Sequence, residues 1–196
     1  MRKTPEEFRR ENVKQLFDKI LKETKVKLEP ISITASESLD DDFTTVEFSF
    51  EDGDKIVSTE AKGKGFVDGL FHGLYNHYIL DYPSLEKIRL VDIMVNPIMK
   101  TTRNNGPDAK ANVIFSVEVE KHGIAEFSHQ SRSMIYSGFV AALEAFQFYV
   151  NCEKTFNRIQ LALEDATARN RGDIVQSCVS DLSKLTEVNT YEREKD

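Results

Sequence analysis

The sequence predicts an α+β fold made of two pseudo-symmetric βββα units with flanking N-terminal and C-terminal helices. Three observations predict it. Residues from about Ile31 to Leu80 and from about Ile88 to Val150 each read as extended strands followed by one apolar helix, so one unit is written twice. Each of those helices begins behind small residues: Gly63-Lys64-Gly65-Phe66-Val67-Asp68-Gly69 in the first unit, Ser131-Arg132-Ser133-Met134-Ile135-Tyr136-Ser137-Gly138 in the second. Amphipathic helical patterns then stand outside the repeat at both ends. A sheet with one apolar face and a helix with one apolar stripe must bury them on each other. Two such units are expected to pack about a pseudo-twofold axis, with a cleft between halves or between subunits. The expected organisation is an N-terminal amphipathic helix over 1–24, a duplicated domain over 28–151 with units at 28–82 and 86–151, and a C-terminal helical extension over 152–190.

Thr4-Pro5-Glu6-Glu7 is a helix start: Thr4 caps, Pro5 suits the first helical position and Glu7 completes a capping box. Phe8, Leu16, Phe17, Ile20 and Leu21 then recur at helical spacing, which predicts an amphipathic helix to about Glu23. After Pro30, Ile31 to Ala35 is β-like, and the acidic stretch Ser36 to Asp42 reads as a loop. Val46, Phe48 and Phe50 alternate with polar residues as a half-buried strand does. Glu51-Asp52-Gly53-Asp54 turns into a strand over Ile56 to Ala61. The helix from Phe66 carries Val67, Leu70, Phe71, Leu74, Tyr75 and Tyr78, and Pro83 ends the unit.

In the second unit Ile88 to Val95 is a strand, and Thr101 to Pro107 is a loop on its turn chemistry. Ala111, Val113, Phe115, Val117 and Val119 alternate against polar residues, and Lys121-His122-Gly123 turns into Ile124 to Gln130. The next helix runs through Phe139, Val140, Leu143, Phe146 and Tyr149 toward Arg169. Gly172 is expected to break it before a last helix on Ile174, Cys178, Leu182 and Leu185, and Tyr191 to Asp196 to fray.

At 196 residues the chain has room for a sizeable core, and its 40% hydrophobic and 30% charged residues are those of a soluble globular protein. A net charge of −7 argues against a general nucleic-acid binder, which needs a basic stripe. The N-terminal Arg2, Lys3, Arg9 and Arg10 are offset by Glu6, Glu7 and Glu11 and read as a solvated helix face. No apolar run approaches the ~20 residues of a membrane span, and none follows Met1 as a signal peptide would. Met1 ahead of a well-formed helix reads as an intact start, and the cytoplasm is the expected location. Cys152 and Cys178 lie inside helical patterns and read as reduced, packed thiols, with a disulfide as the alternative.

No catalytic constellation emerges, so the expectation is a non-enzyme without cofactor or metal. His72 and His77 are five apart on one helix and do not make an i,i+4 metal pair. No cysteine pair has zinc spacing, and neither a phosphate loop nor a nucleophile elbow occurs. Gly63-x-Gly65 lacks the downstream glycine of a dinucleotide site.

The same glycines sit in another context. Gly63-Lys64-Gly65-Phe66-Val67-Asp68-Gly69-Leu70 resembles the Gly-x-Gly-Pro-Val-Asp-Ala-(Leu/Ile) helix start in the regulatory domain of α-isopropylmalate synthase, shared with citramalate synthase. Leu90-Val91-Asp92-Ile93-Met94-Val95 is similar to that family's Leu-x-Asp-Tyr-x-Val, and Gly106-Pro107-Asp108-Ala109 to its Gly-x-Asp-Ala. Ser131 to Ala145 matches its Ser-rich lead into an Ala-rich helix. The four follow the family's order over about Ile31 to Val150. Phe66, Gly69 and Ile93 depart from it, where the family has Pro, Ala and Tyr.

The resemblance implies a duplicated βββα fold that forms a homodimer and binds leucine or isoleucine as a feedback effector. The family's catalytic barrel takes about 250 residues, so the resemblance also implies a stand-alone regulatory chain with a separate catalytic synthase subunit as partner. Its ligand-binding residues carry over as Gly65, Phe66, Val67, Asp68, Leu90, Ile93, Val95, Asp108 and Ala109. On chemical grounds, backbone N–H groups at the Gly65–Gly69 helix start would meet the effector carboxylate. Asp68 would pair its ammonium, and Leu90, Ile93 and Val95 would line the slot. Against this, Asp68 reads equally as a cap of its own helix, and Leu90 and Val95 as core strand positions. A dimeric structural or interaction protein that keeps the fold without a ligand is the alternative function.

Overall fold

A computed structural model of the chain describes residues 4–38, 40, 42–98 and 109–191. Helix α1 (Pro5–Ile20) starts where its capping chemistry dictates. The Thr4 hydroxyl accepts the Glu7 N–H at 3.2 Å and the Glu7 carboxylate accepts the Thr4 N–H at 2.7 Å, which satisfies donors the first turn leaves free. The helix ends before Glu23, because Lys22 turns to a φ of 52° and Lys22–Thr24 forms a single 3-10 turn.

Strands β1 (Leu28–Glu37), β2 (Thr44–Asp52) and β3 (Lys55–Gly63) form one antiparallel sheet in that order, followed by helix α2 (Phe66–Tyr78). Strands β4 (Ile88–Ile98), β5 (Lys110–Val119) and β6 (Gly123–Ser131) form a second, followed by helix α3 (Met134–Ala168) and helix α4 (Gly172–Leu185). The chain is therefore two βββα units with a helix added at each end. The two-residue turn after Asp52 uses Gly53 at φ +62°, and the turn before β6 uses Gly123 at φ +92°.

The repeat holds to the level of hydrogen-bond register. In β1 the pairing with β2 shifts between Pro30 and Ser32, and in β4 the pairing with β5 shifts between Leu90 and Asp92. Pro30, Ile33 and Ala35 stand opposite Phe50, Phe48 and Val46; Leu90, Ile93 and Val95 stand opposite Val117, Phe115 and Val113. Val46-Glu47-Phe48-Ser49-Phe50-Glu51 is thus the counterpart of Val113-Ile114-Phe115-Ser116-Val117-Glu118. Both first strands are edge strands, where a bulge and a proline are tolerated.

The two halves are locked by exchanged aromatic contacts. Phe71 of α2 meets Phe115 of the second sheet edge-on at 5.5 Å, and Phe139 of α3 meets Phe48 of the first sheet at the same 5.5 Å. Each helix therefore seats a ring on the central strand of the other unit. Phe48, Phe115 and Phe139 belong to one continuous core that also takes in Val13, Leu16 and Phe17 of α1 and Leu185 of α4, and the half-buried Phe71 packs against it. For α2 to lie this low, its first turn must touch the end of β3. A Cβ on Gly63 would stand 2.1 Å from the Gly69 nitrogen, and one on Gly73 would stand 2.7 Å from the Phe48 ring. In the second unit Ser131 and Ser137 occupy the counterparts of Gly63 and Gly69, and their hydroxyls meet at 2.8 Å.

One pseudo-twofold contact is missing. Helix α3 packs on β1 of the first sheet as well as on its own β5 and β6, whereas α2 makes no comparable contact with β4. The difference in helix length explains it. Two side chains from the middle of α3 hold the lead into β1: Gln147 accepts the Leu28 N–H at 2.8 Å, and Asn151 accepts the Val26 N–H and donates to the Val26 carbonyl, both at 2.9 Å. Helix α2 ends at Tyr78, and Pro83 opens a 3-10 turn, so no equivalent side chain reaches β4.

Several expected boundaries shift. β1 runs from Leu28 through Pro30 and on to Glu37, so Ser36 and Glu37 belong to the strand. The position between Asn151 and Cys152 falls inside α3. The break before α4 comes at Asn170, φ 55°, and Gly172 is the first residue of that helix. Tyr191 is held rather than frayed, stacked on Phe156 at 4.3 Å. The expected Thr101–Pro107 loop lies outside the described residues. Among the described residues no helix is long and apolar enough to cross a membrane, and Cys152 and Cys178 are free buried thiols.

Two outcomes follow from this packing. Gly63→Ala forces the β3 end off α2 and should cost about 1–3 kcal/mol in denaturant unfolding; an unchanged midpoint would contradict the close approach. The Asp181 carboxylate, buried on α4, accepts from Lys19 at 2.5 Å and Lys184 at 3.1 Å. Burial alone would raise its pKa, but those two hydrogen bonds more than offset it and the net shift is downward. A carboxyl with a depressed folded pKa stabilises the protein above the ordinary carboxylate range near ~4 and loses that contribution as pH falls through the folded value. Asp181→Asn should therefore cost roughly 1–3 kcal/mol at neutral pH, with the gap to the natural chain closing in acid. A gap that widens in acid would contradict the assignment.

Candidate functional site: the cleft between α2 and β4

Where α2 stands off β4, a cleft of about 390 Å³ remains. Helix α2 turns Val67, Asp68, Phe71, His72 and Tyr75 toward it, positions one helical stripe apart. The facing wall is the inner face of β4, with Ile88, Leu90 and Ile93. Its floor is Val117 of β5, Leu85 of the 3-10 turn, and Ala145, Phe146 and Tyr149 of α3. The walls thus come from both units, and the floor residues are nearly all fully buried.

Among the described residues, the polar side chains of the lining besides Tyr75 and Tyr149 are Asp68 and His72, both on α2. One Asp68 oxygen accepts the N–H of Lys64, the residue before the N-cap Gly65, at 2.9 Å, so it ties the lead-in to the first turn and caps no helical N–H; the other lies 3.7 Å from His72 Nε2. Both side chains are about half exposed. Burial raises the Tyr149 hydroxyl pKa well above that of an ordinary phenol, so it stays neutral, and the charged groups nearest it, Arg10 and Glu6 of α1, do not line the cleft. Among the described residues no serine, threonine, cysteine, lysine or arginine lines the cleft. The arrangement can hold a small molecule with an apolar body inside and a polar head in the mouth. Among the described lining residues no serine, cysteine or lysine nucleophile stands beside a base.

Of the residues singled out in the sequence, Val67, Asp68, Leu90 and Ile93 come together here. Gly65 is the N-cap residue of α2, outside the lining. Phe66 turns toward Gly138 of α3. Val95 shares the inner face of β4 with Ile93 but lies past the cleft, 43% exposed. Ala109 precedes β5 and does not line the cleft, and Asp108 lies outside the described residues.

Phe71, His72 and Tyr75 were not legible as partners of Asp68 until its helical face was known, although their spacing of three, four and seven residues was the available signal. Phe146 and Tyr149 gave none, being indistinguishable from other core positions of a long apolar helix. His72 and His77 do diverge: His77 lies against the Tyr78 and Phe50 rings, at 4.6 and 5.9 Å.

Other polar clusters serve the packing. The Arg10 guanidinium lies 4.0 Å over the Phe127 ring and donates to the Glu126 carbonyl at 2.5 Å, pinning α1 to β6, and burial lowers its pKa. Burial raises the Cys152 thiol far above its ordinary pKa, which leaves it unreactive. Among the described residues no group of three or more His, Cys, Asp or Glu is placed to hold a metal ion. No protein-family model and no curated protein matches the chain.

Proposed function

We propose that this chain is a non-catalytic, amino-acid-binding regulatory module, with the α2–β4 cleft as its effector site. One observation carries the reading: Val67 and Asp68 from the glycine-led helix start, and Leu90 and Ile93 from a strand more than twenty positions later, line a single apolar cleft with a carboxylate at its mouth. A zwitterion needs an acceptor for its ammonium and an apolar slot for its side chain. Asp68 supplies the first through the oxygen that faces His72, and β4 and α3 supply the second. The resemblance to the α-isopropylmalate and citramalate synthase regulatory domain favours leucine or isoleucine as effector. It equally favours a homodimer, a cytoplasmic setting in branched-chain amino acid biosynthesis, and a separate catalytic synthase subunit as the receiver of the signal.

Calorimetric titration of the full chain with the apolar amino acids tests this. Binding heat is expected with at least one of them, weakened roughly tenfold in Asp68→Asn, since a hydrogen bond to a charged group is being replaced by a neutral one. Silence with every amino acid would remove the reading.

The second reading is a dimeric structural protein in which the fold is kept without a ligand. It is favoured by β4, an edge strand that exposes Ile93 and Val95 on its inner face and Met94 and Ile98 on its outer face. An apolar edge strand is a surface that a twofold copy of the same strand can cover. Sedimentation analysis should then show a dimer that Met94→Lys dissociates; a monomer at all concentrations would exclude it.

A further inference from the structure

We propose that the α2–β4 cleft takes an amino acid with an aromatic side chain, phenylalanine or tyrosine, in preference to a branched aliphatic one. The proposal rests on the reading of this cleft as an amino-acid site and changes the class of side chain it accepts.

Size is the first ground. A cleft of about 390 Å³ corresponds to about thirteen water-sized groups at the liquid share of one water each. That matches the non-hydrogen atoms of phenylalanine or tyrosine, and exceeds those of leucine by nearly half. Leucine would leave unfilled apolar space, and wall atoms beside a void lose their dispersion partners.

The walls are the second ground. Phe71 and Tyr75 from α2 and Phe146 and Tyr149 from α3 all line the cleft, with Phe71 and Phe146 already edge-to-face at 5.6 Å. A ligand ring seated against these rings would extend that set, whereas a branched aliphatic chain would gain burial alone. Ala145, next to Phe146, is the small residue that leaves room at the inner end.

The placement of polar groups is the third. Asp68 and His72 both stand at the mouth, on α2, and the inner end is walled by Leu85 and Val117. The head of the ligand therefore stays at the rim, with its ammonium on Asp68 and its carboxylate toward the His72 ring, and the side chain must span the full depth. An aromatic side chain has that reach.

Calorimetry on the full chain with phenylalanine, tyrosine, leucine and isoleucine decides the matter. Phenylalanine or tyrosine is expected to bind about tenfold more tightly than either aliphatic residue, the gain of two aromatic contacts. Ala145→Leu, checked by thermal unfolding to be folded, should weaken the aromatic ligand at least tenfold by filling the inner end. Leucine or isoleucine binding as tightly as phenylalanine would overturn the preference while leaving the amino-acid site standing. A folded Ala145→Leu chain that binds phenylalanine unchanged would overturn it as well. Silence with all four would overturn the amino-acid site itself, and the preference with it.

Discussion

Two phenylalanine contacts, Phe71 on Phe115 and Phe139 on Phe48, determine how the halves of this molecule sit on each other. Each ring belongs to the helix of one unit and rests on the central strand of the other. Neither βββα unit can bury its sheet with its own helix alone, so the apolar faces of both are closed only when the units interlock. The low seating of α2 follows from this constraint, and with it the bare backbone contact of Gly63 with Gly69. The second unit carries Ser131 and Ser137 at the same two places, with their hydroxyls 2.8 Å apart.

The cleft is the place where that symmetry fails. α3 is long enough to carry Gln147 and Asn151 to the start of β1, and β1 is covered. α2 stops at Tyr78, and the corresponding strand, β4, keeps its inner face open to a hollow. A vacancy produced by unequal helix lengths is roofed by a helix of one unit and walled by a strand of the other. Anything bound there touches both halves, so occupancy is felt by the packing between them. The regulatory reading proposed above needs such a site, since a ligand shifts an equilibrium only through contacts that differ between two arrangements.

Much of the fold was legible in the residues because its signals are local. The Thr4–Glu7 capping box, the alternation of Val46, Phe48 and Phe50, and the Gly53 turn depend on near neighbours and are realised as read. Boundaries governed by distant contacts were not. Asn170 rather than Gly172 turns the chain before α4, and Tyr191 is ordered by Phe156, thirty-five positions away along the chain. The site was half legible for the same reason. Val67, Asp68, Leu90 and Ile93 stand out within short motifs, whereas Phe146 and Tyr149 enter the cleft only because α3 passes beneath both sheets.

The central claim is that β1 is covered by the helix of the opposite unit and β4 is not. Amide hydrogen exchange compared at the matched positions Ile33 with Ile93 and Ala35 with Val95 tests it most directly. The β4 amides should exchange measurably faster than their β1 counterparts in the free chain, and slow toward them when the cleft is filled. Equal protection of the two strands in the free chain, or slower exchange in β4, would contradict the account.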